Sequence, residues 1–318
     1  MRKQLTTFTL LLAALLLCNC TNNTQETKAK YQTIRTEVPE PMKFPKFDAE
    51  AHRGGRGMMP ENTIPAMLYS LSLDKITTLE MDVRVTADGK LILSHDDYLN
   101  PWMTTKPNGE VLSDEEKGKY AFMQMDYDEI KKFDVGIKPH HLFPEQRKMH
   151  VSIPLLEDVI DTVQHYIKET GRIQVLYNIE TKSSEEGDYK YNPVPEEFVK
   201  LLMDIIEKKD ITPYVIIQSA DVRTLQVLRK KYPHIRTSYL VGARRKDFTV
   251  EEDLEVLGFQ PYIYSPNFKY ITPEDIEKCH EMGMKVVVWT PNTKKEIDEL
   301  KAMGVDGIIT DYPELLIN

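Results

Sequence analysis

IQVLYNIETKSSEEGDYKYNPVPEEFVKLLMDIIEKKDITPYVIIQ, residues Ile173 to Gln218, contains one complete unit of the fold. Its first part, Ile173 to Ile179, is short, apolar and β-branched, which predicts a buried strand. Phe198, Leu201, Leu202, Ile205 and Ile206 then recur at helical spacing, the mark of a helix with one apolar face. Tyr214 to Gln218 reads as a second strand. Strand, helix and strand in this order imply parallel pairing through a right-handed crossover.

The same alternation extends in both directions. Strands are predicted at Asp48–His52, Ile76–Val85, Lys90–Ser94, Ile235–Leu240, Tyr262–Tyr264, Lys285–Trp289 and Gly307–Thr310. Helical patterns lie between them: Leu155, Leu156, Val159, Ile160 and Val163, then Asp221 to Leu228, then Pro273 to Met282. The class is α/β and the architecture a distorted TIM (β/α)8 barrel. The distortion comes early. Thr86-Ala87-Asp88-Gly89 is too short for a parallel crossover, which takes about a dozen residues or more. Ile76–Val85 and Lys90–Ser94 therefore form a turn-linked pair, or one of them lies outside the barrel. Asp97 to Ser152 also departs from the alternation, mixing Trp102, Met103, Phe122, Met123 and Met125 with Pro, Gly and charge. An insertion of this length (97–152) is either a functional wall or lid, or a packed excursion.

The N-terminus reads as a targeting segment. Met1-Arg2-Lys3 is a positive start, and Leu10 to Leu17 holds only Leu and Ala. The run is too short to span a bilayer and reads as a signal peptide over residues 1–20. It ends in Cys18-Asn19-Cys20, similar to a bacterial lipobox, and Cys20 is the preferred lipidation site. Residues 21–45 are polar and then Pro-bearing, suited to a flexible tether, and 46–318 form the barrel domain. These features predict an exported, membrane-anchored lipoprotein on the periplasmic or cell-surface side of a bacterial envelope, touching membrane through its N-terminal lipid. A net charge of −9 without a long basic block argues against nucleic-acid partners. Cys279 alone lies in the domain, so neither a disulfide framework nor a thiolate metal cluster is expected.

Chemistry concentrates at predicted strand ends. His52-Arg53-Gly54-Gly55 leaves a strand through glycines that permit close backbone approach, and Asn62 reads as the N-cap of the helix opening at Ile64-Pro65. Glu80 and Asp82 lie two apart in one strand and share a face. Two carboxylates on a buried face repel and are costly to desolvate. A divalent cation relieves both effects, and oxygen donors suit Mg²⁺ or Ca²⁺; two salt-bridged rim acids are the plainer alternative. His95-Asp96 closes the next strand with a second imidazole. Glu180 and Lys182 end another, giving a third carboxylate and a cation that could neutralise a phosphate or simply pair with its neighbour.

Taken in order, His52-Arg53-Gly54, Pro60-Glu61-Asn62-Thr63, Glu80-x-Asp82-Val83, Thr86-x-Asp88-Gly89 and His95-Asp96 resemble the glycerophosphodiester phosphodiesterase family, of the phosphatidylinositol phospholipase C-like phosphodiesterase superfamily. The resemblance continues through Ile153-Pro154-Leu155-Leu156-Glu157, Glu180-x-Lys182, Gln218-Ser219, Trp289-Thr290-Pro291-Asn292 and Gly304 to Asp311 with Pro313, and covers roughly Ala51 to Leu316. Ala220 stands where the family often has an aromatic, and Arg56 adds a cation beside the phosphate region. The resemblance implies a metal held by Glu80, Asp82 and Glu180, with His52 and His95 as general acid and base. It implies that Arg53 contacts the phosphate with help from Lys182, that Trp289 lines the pocket, and that Glu61 and Asn62 support the His52 loop. The expected reaction is metal-dependent hydrolysis of a small glycerophosphodiester to glycerol phosphate and an alcohol. A related lysophospholipase D or phosphoinositide phospholipase C-type activity is the alternative. A non-catalytic phosphate-binding lipoprotein would require a broken set of residues, and the set is complete.

Overall fold

The apolar strands pair as parallel neighbours and close on themselves. The computed structural model describes residues 40–242 and 249–317. The strands in chain order are β1 Asp48–Ala51, β2 Thr78–Val85, β3 Leu91–Leu93, β4 Leu176–Thr181, β5 Val215–Ser219, β6 Arg236–Val241, β7 Ile263–Pro266, β8 Lys285–Trp289 and β9 Gly307–Thr310. Around the ring, β2 is followed by β4 to β9, and β1 pairs with both β2 and β9. These eight strands, all parallel, form a TIM barrel. β3 pairs antiparallel with β2 outside the ring, as the short Thr86–Gly89 connection requires. β8 and β9 have the predicted bounds; the strand expected from Ile173 starts instead at Leu176, and Ile173 is 81% exposed.

The helices are α1 Ile64–Leu71, α2 Tyr127–Ile130, α3 Leu156–Thr170, α4 Pro195–Lys208, α5 Val222–Lys231, α6 Val250–Leu257, α7 Pro273–Glu281 and α8 Lys294–Met303. Each crossover helix turns its apolar stripe to the sheet. In α3 the buried residues are Leu156, Val159, Ile160, Val163 and Ile167, and in α4 Phe198, Val199, Leu202, Met203 and Ile206. Each such side chain contributes roughly 1.5–3 kcal/mol of burial free energy. Closure of the ring depends on Gly307 beside β1: a Cβ there would lie 2.6 Å from Asp48 Cβ.

Met42 and Phe44 already pack against the apolar residues inside the barrel, among them Leu176, Ile216 and Val287. Met42 and Phe44, expected within the tether of residues 21–45, therefore belong to the packed domain. The predicted signal segment and Cys20 lie outside the described residues. The insertion is a packed excursion: Leu99, Leu112, Phe122, Ile130, Phe133 and Val135 form its own core. Its Phe143 also lies beneath the Arg56 guanidinium, 4.8 Å from ring centre to Cζ.

Candidate active site

The predicted site residues of the barrel gather at the rim where the parallel strands end and side chains from separate strands converge, with His95 arriving there from the antiparallel β3. After β1 the chain turns sharply. Arg53, Gly54 and Gly55 take positive φ of 51°, 77° and 88°, a run that only glycine adopts without strain at its last two positions. A Cβ on Gly54 would sit 2.9 Å from the Ala66 carbonyl carbon, so α1 can press against the turn and fix it. The helix cap differs from expectation. Thr63, not Asn62, accepts the Ala66 amide at 3.3 Å. Asn62 adopts a φ of 54°. Its Nδ2 donates to Asp82 Oδ2 at 2.8 Å, and its Oδ1 accepts the Asp82 amide at 3.2 Å. Its side chain thus braces a carboxylate instead of a helix.

The β2–β4 register sets Asp82 beside Glu180, and Glu80 points to the same face. One carboxylate oxygen from each of Glu80, Asp82 and Glu180 lies within 4.8 Å of the others, all three residues being buried. Burial pushes Glu80 well above the usual carboxylate range, and the Asp82 charge pushes it further. Burial likewise raises Glu180 against the pull of Lys182. Burial opposes ionisation of Asp82 too, but Arg53, His95 and Lys182 together hold it well below the usual range. Asp82 Oδ1 is buried without a hydrogen bond. Three buried carboxylates that resist joint ionisation, with a bare oxygen among them, fit a hard divalent cation, which would let all three ionise together.

The cations are already committed. Arg53 Nη1 donates to Glu61 at 2.7 Å, and its Nε lies 3.2 Å from Asp82. Its backbone amide donates to Glu80 Oε2 at 2.8 Å. Lys182 Nζ donates to Glu180 Oε1 at 2.8 Å and stands 3.9 Å from Asp82. Glu61 and Asn62 both contact the turn at Arg53, Glu61 through the guanidinium and Asn62 through its backbone amide, which donates to the Arg53 carbonyl at 3.0 Å.

Asp311, at the end of β9, was quoted above only as part of a motif; the structure places it against His52. His52 Nδ1 lies 2.5 Å from Asp311 Oδ1. Arg56 Nε donates to the same oxygen at 2.8 Å, and Asn292 Nδ2 donates to Oδ2 at 2.7 Å. Asp311 is held well below the usual carboxylate range: burial opposes its ionisation, but the His52 contact and Arg56 outweigh it. Burial lowers His52 to about 4, with Asp311 raising it and Arg53 and Arg56 lowering it. Near neutral pH the imidazole is therefore uncharged, and Arg56 is the fixed charge that keeps Asp311 ionised. A carboxylate at Nδ1 requires the proton there, which leaves the Nε2 lone pair free.

His95 lines the same cavity as His52, with Nδ1 3.2 Å from Asp96 Oδ1 and 37% of its side chain exposed. Arg84 fixes the loops after β3 and β4: Nη2 donates to the His95 carbonyl and Nη1 to the Lys182 carbonyl, both at 2.8 Å, and it pairs with Asp97. A cavity of about 280 Å³ unites the set. Its lining includes the polar His52, Arg53, Arg56, Glu80, His95 and Lys182 and the apolar Ala220, Leu240, Trp289 and Ile309. Trp289 is held by its indole N–H, which donates to the Ser265 carbonyl at 3.0 Å.

Residues 52–315 match the pattern of the Glycerophosphoryl diester phosphodiesterase family. A glycerophosphodiester phosphodiesterase of Caldanaerobacter subterraneus is 32% identical over 268 residues, spanning 84% of this chain and 95% of that protein. One from Bacillus altitudinis is 33% identical over 266 residues, spanning 83% and 94%. The crystal structure of a Silicibacter pomeroyi protein assigned to the glycerophosphoryl diester phosphodiesterases superimposes with a TM-score of 0.74 at 28% identity, covering 85% of this chain and 91% of that one.

Proposed function

This chain belongs to the glycerophosphoryl diester phosphodiesterase family and is a phosphodiester hydrolase of glycerophosphodiesters, and we propose that it works by acid–base catalysis between His52 and His95 across a divalent-cation site. The observation that carries the reading is the cavity lined together by His52, His95, Glu80 and Glu180, with Asp311 hydrogen-bonded to His52 and an Asp82 oxygen within 4.8 Å of both glutamates.

Glu80, Asp82 and Glu180 hold the cation, and their all-oxygen donor set favours Mg²⁺ or Ca²⁺. When bound, the cation supplies Lewis-acid stabilisation of the charge on the phosphoryl oxygens. His52 is the base: uncharged at neutral pH, it takes the proton of the attacking hydroxyl, of water or of the substrate's own glycerol, on Nε2. Asp311 then stabilises the imidazolium that forms. His95, at the more open side, gives a proton to the departing alkoxide. Arg53 and Lys182 add fixed positive charge for the phosphate, and Trp289 with Leu240 walls the organic part. The insertion spends most of its apolar residues on its own core, which favours a short polar diester over a lysophospholipid. We further propose, from the lipobox-like N-terminal sequence, that a lipid on Cys20 anchors the mature protein to the envelope.

Hydrolysis of glycerophosphocholine, glycerophosphoethanolamine, glycerophosphoinositol and a lysophospholipid is measured for wild type, His52→Ala and His95→Ala. Each histidine variant should melt like wild type and lose about 10²–10⁴-fold in kcat. A folded variant with near-normal turnover removes that histidine from the mechanism. Preferential turnover of the lysophospholipid replaces the substrate class.

A further inference from the structure

β1 carries two acids into the barrel. Asp48, Glu50 and His52 alternate along one face, and both acids are fully buried. Glu50 lies before residue 52, where the family match begins, and none of the chemistry above uses it. Asp48 Oδ1 is satisfied by the Thr77 and Thr78 hydroxyls at 2.7 and 2.5 Å. Its Oδ2 and the Oε1 of Glu50 are buried without a donor. The two carboxyl groups lie within hydrogen-bond reach of each other, and burial together with the Asp48 charge raises Glu50 well above the usual range. One proton on Glu50, donated to Asp48, satisfies both oxygens at once.

The other Glu50 oxygen faces the metal site through two amides. Asn178 Nδ2 donates to Glu50 Oε2 at 2.7 Å and to Gln218 Oε1 at 3.3 Å. Gln218 Nε2 donates to Glu80 Oε1 at 2.7 Å. The chain has a fixed direction. An amide next to a carboxylate oxygen that accepts must present its NH₂, so Glu50 sets the orientation of Asn178. Asn178 then presents NH₂ to Gln218, which must turn its carbonyl towards it and its own NH₂ to Glu80. Remove the acceptor at Glu50 and Asn178 is free to rotate, after which Gln218 no longer has to serve Glu80.

We propose that Glu50 is a positioning residue for the cation site, orienting the ligand Glu80 through Asn178 and Gln218. The inference rests on the reading of Glu80, Asp82 and Glu180 as cation ligands.

The test measures Mg²⁺ and Ca²⁺ binding by titration calorimetry on the purified full-length protein, with thermal melts without added metal. Glu50→Leu removes the acceptor at similar volume, and Glu50→Gln keeps an oxygen for Asn178. Glu50→Leu should weaken cation binding by about 10–100-fold, the effect of losing groups that orient a metal ligand, while its metal-free melting temperature holds or rises because a buried polar group has gone. Glu50→Gln should bind close to wild type. Should Glu50→Leu not fold, Glu50→Ala is measured in the same way; failure of both to fold assigns Glu50 a structural role and overturns the proposal. Wild-type affinity in either acceptor-less variant overturns it too. Wild type that binds neither cation, or Asp82→Asn that binds as well as wild type, would instead overturn the three-carboxylate site itself.

Discussion

Replacing Asp311 by asparagine keeps the shape of the site and removes one charge. Its carboxylate accepts from three donors: His52 Nδ1 and Arg56 Nε at Oδ1, and Asn292 Nδ2 at Oδ2. Asn292 cannot turn to help, because its Oδ1 already accepts the Asp311 amide at 3.0 Å and the Thr310 hydroxyl at 3.1 Å. The new amide therefore has two arrangements. With its oxygen towards His52, its NH₂ meets that of Asn292, and a buried bond is lost at about 1–3 kcal/mol of stability. The tautomer survives, but the imidazolium formed during reaction has no counter-charge. With its NH₂ towards His52, the Nδ1 must accept, the proton moves to Nε2, and the base is blocked. Either way the contribution of a positioned base is forfeited, about 10²–10⁴ in kcat, or about 3–5 kcal/mol of barrier. Asp311 also raises the His52 pKa, so the acid limb of kcat/KM should move to lower pH in the variant. The assay is kcat and kcat/KM against pH, beside a thermal melt. Turnover within threefold of wild type in a folded Asp311→Asn protein would refute the assignment of His52 as the base oriented by Asp311.

Exhaustive chelation should abolish hydrolysis and Mg²⁺ or Ca²⁺ should restore it; full activity in EDTA removes the cation from the mechanism. Metal-free protein should lose stability as pH falls from about 6.5 to about 4. His52 binds its proton less readily folded than unfolded, so the unfolded chain holds more protons across that window. The shift corresponds to on the order of 3 kcal/mol, and His52→Asn should flatten the slope in denaturant titrations; an unchanged slope assigns the acid lability to other groups. Wild-type protein should partition with membranes and carry acyl chains, whereas Cys20→Ala should be soluble; membrane-bound Cys20→Ala moves the test to Cys18.

What sequence conveys about this barrel is what is periodic or adjacent. β8 and β9 are continuous apolar runs bounded by polar residues, and their ends were predicted to the residue. Ile173 misled because a β-branched side chain signals extended backbone but not burial. Its neighbour Arg172 anchors that segment to the carbonyls of Leu71, Leu73 and Ile76, and the strand starts only afterwards. Asn62 and Thr63 are both good caps, so local chemistry could not choose between them. The choice came from Asp82, which takes the Asn62 amide and leaves the helix to Thr63. The Glu80–Asp82 pair was legible because two residues of one strand share a face without any knowledge of the fold.

Asp311 is the opposite case, since 259 residues separate it from His52 and no local pattern links them. Ring closure does: β9 pairs with β1, with Thr310 opposite Ala51, so the residue following each strand becomes a neighbour of the other. An acid at the end of the last strand was therefore readable as a partner of the histidine at the end of the first, once the barrel was assumed. The same step applies to Glu50. A predicted strand with acids at alternate positions, inside a barrel, has to neutralise them internally. A proton shared between Asp48 and Glu50 would do so here, and the proposed cation would do so for Glu80, Asp82 and Glu180.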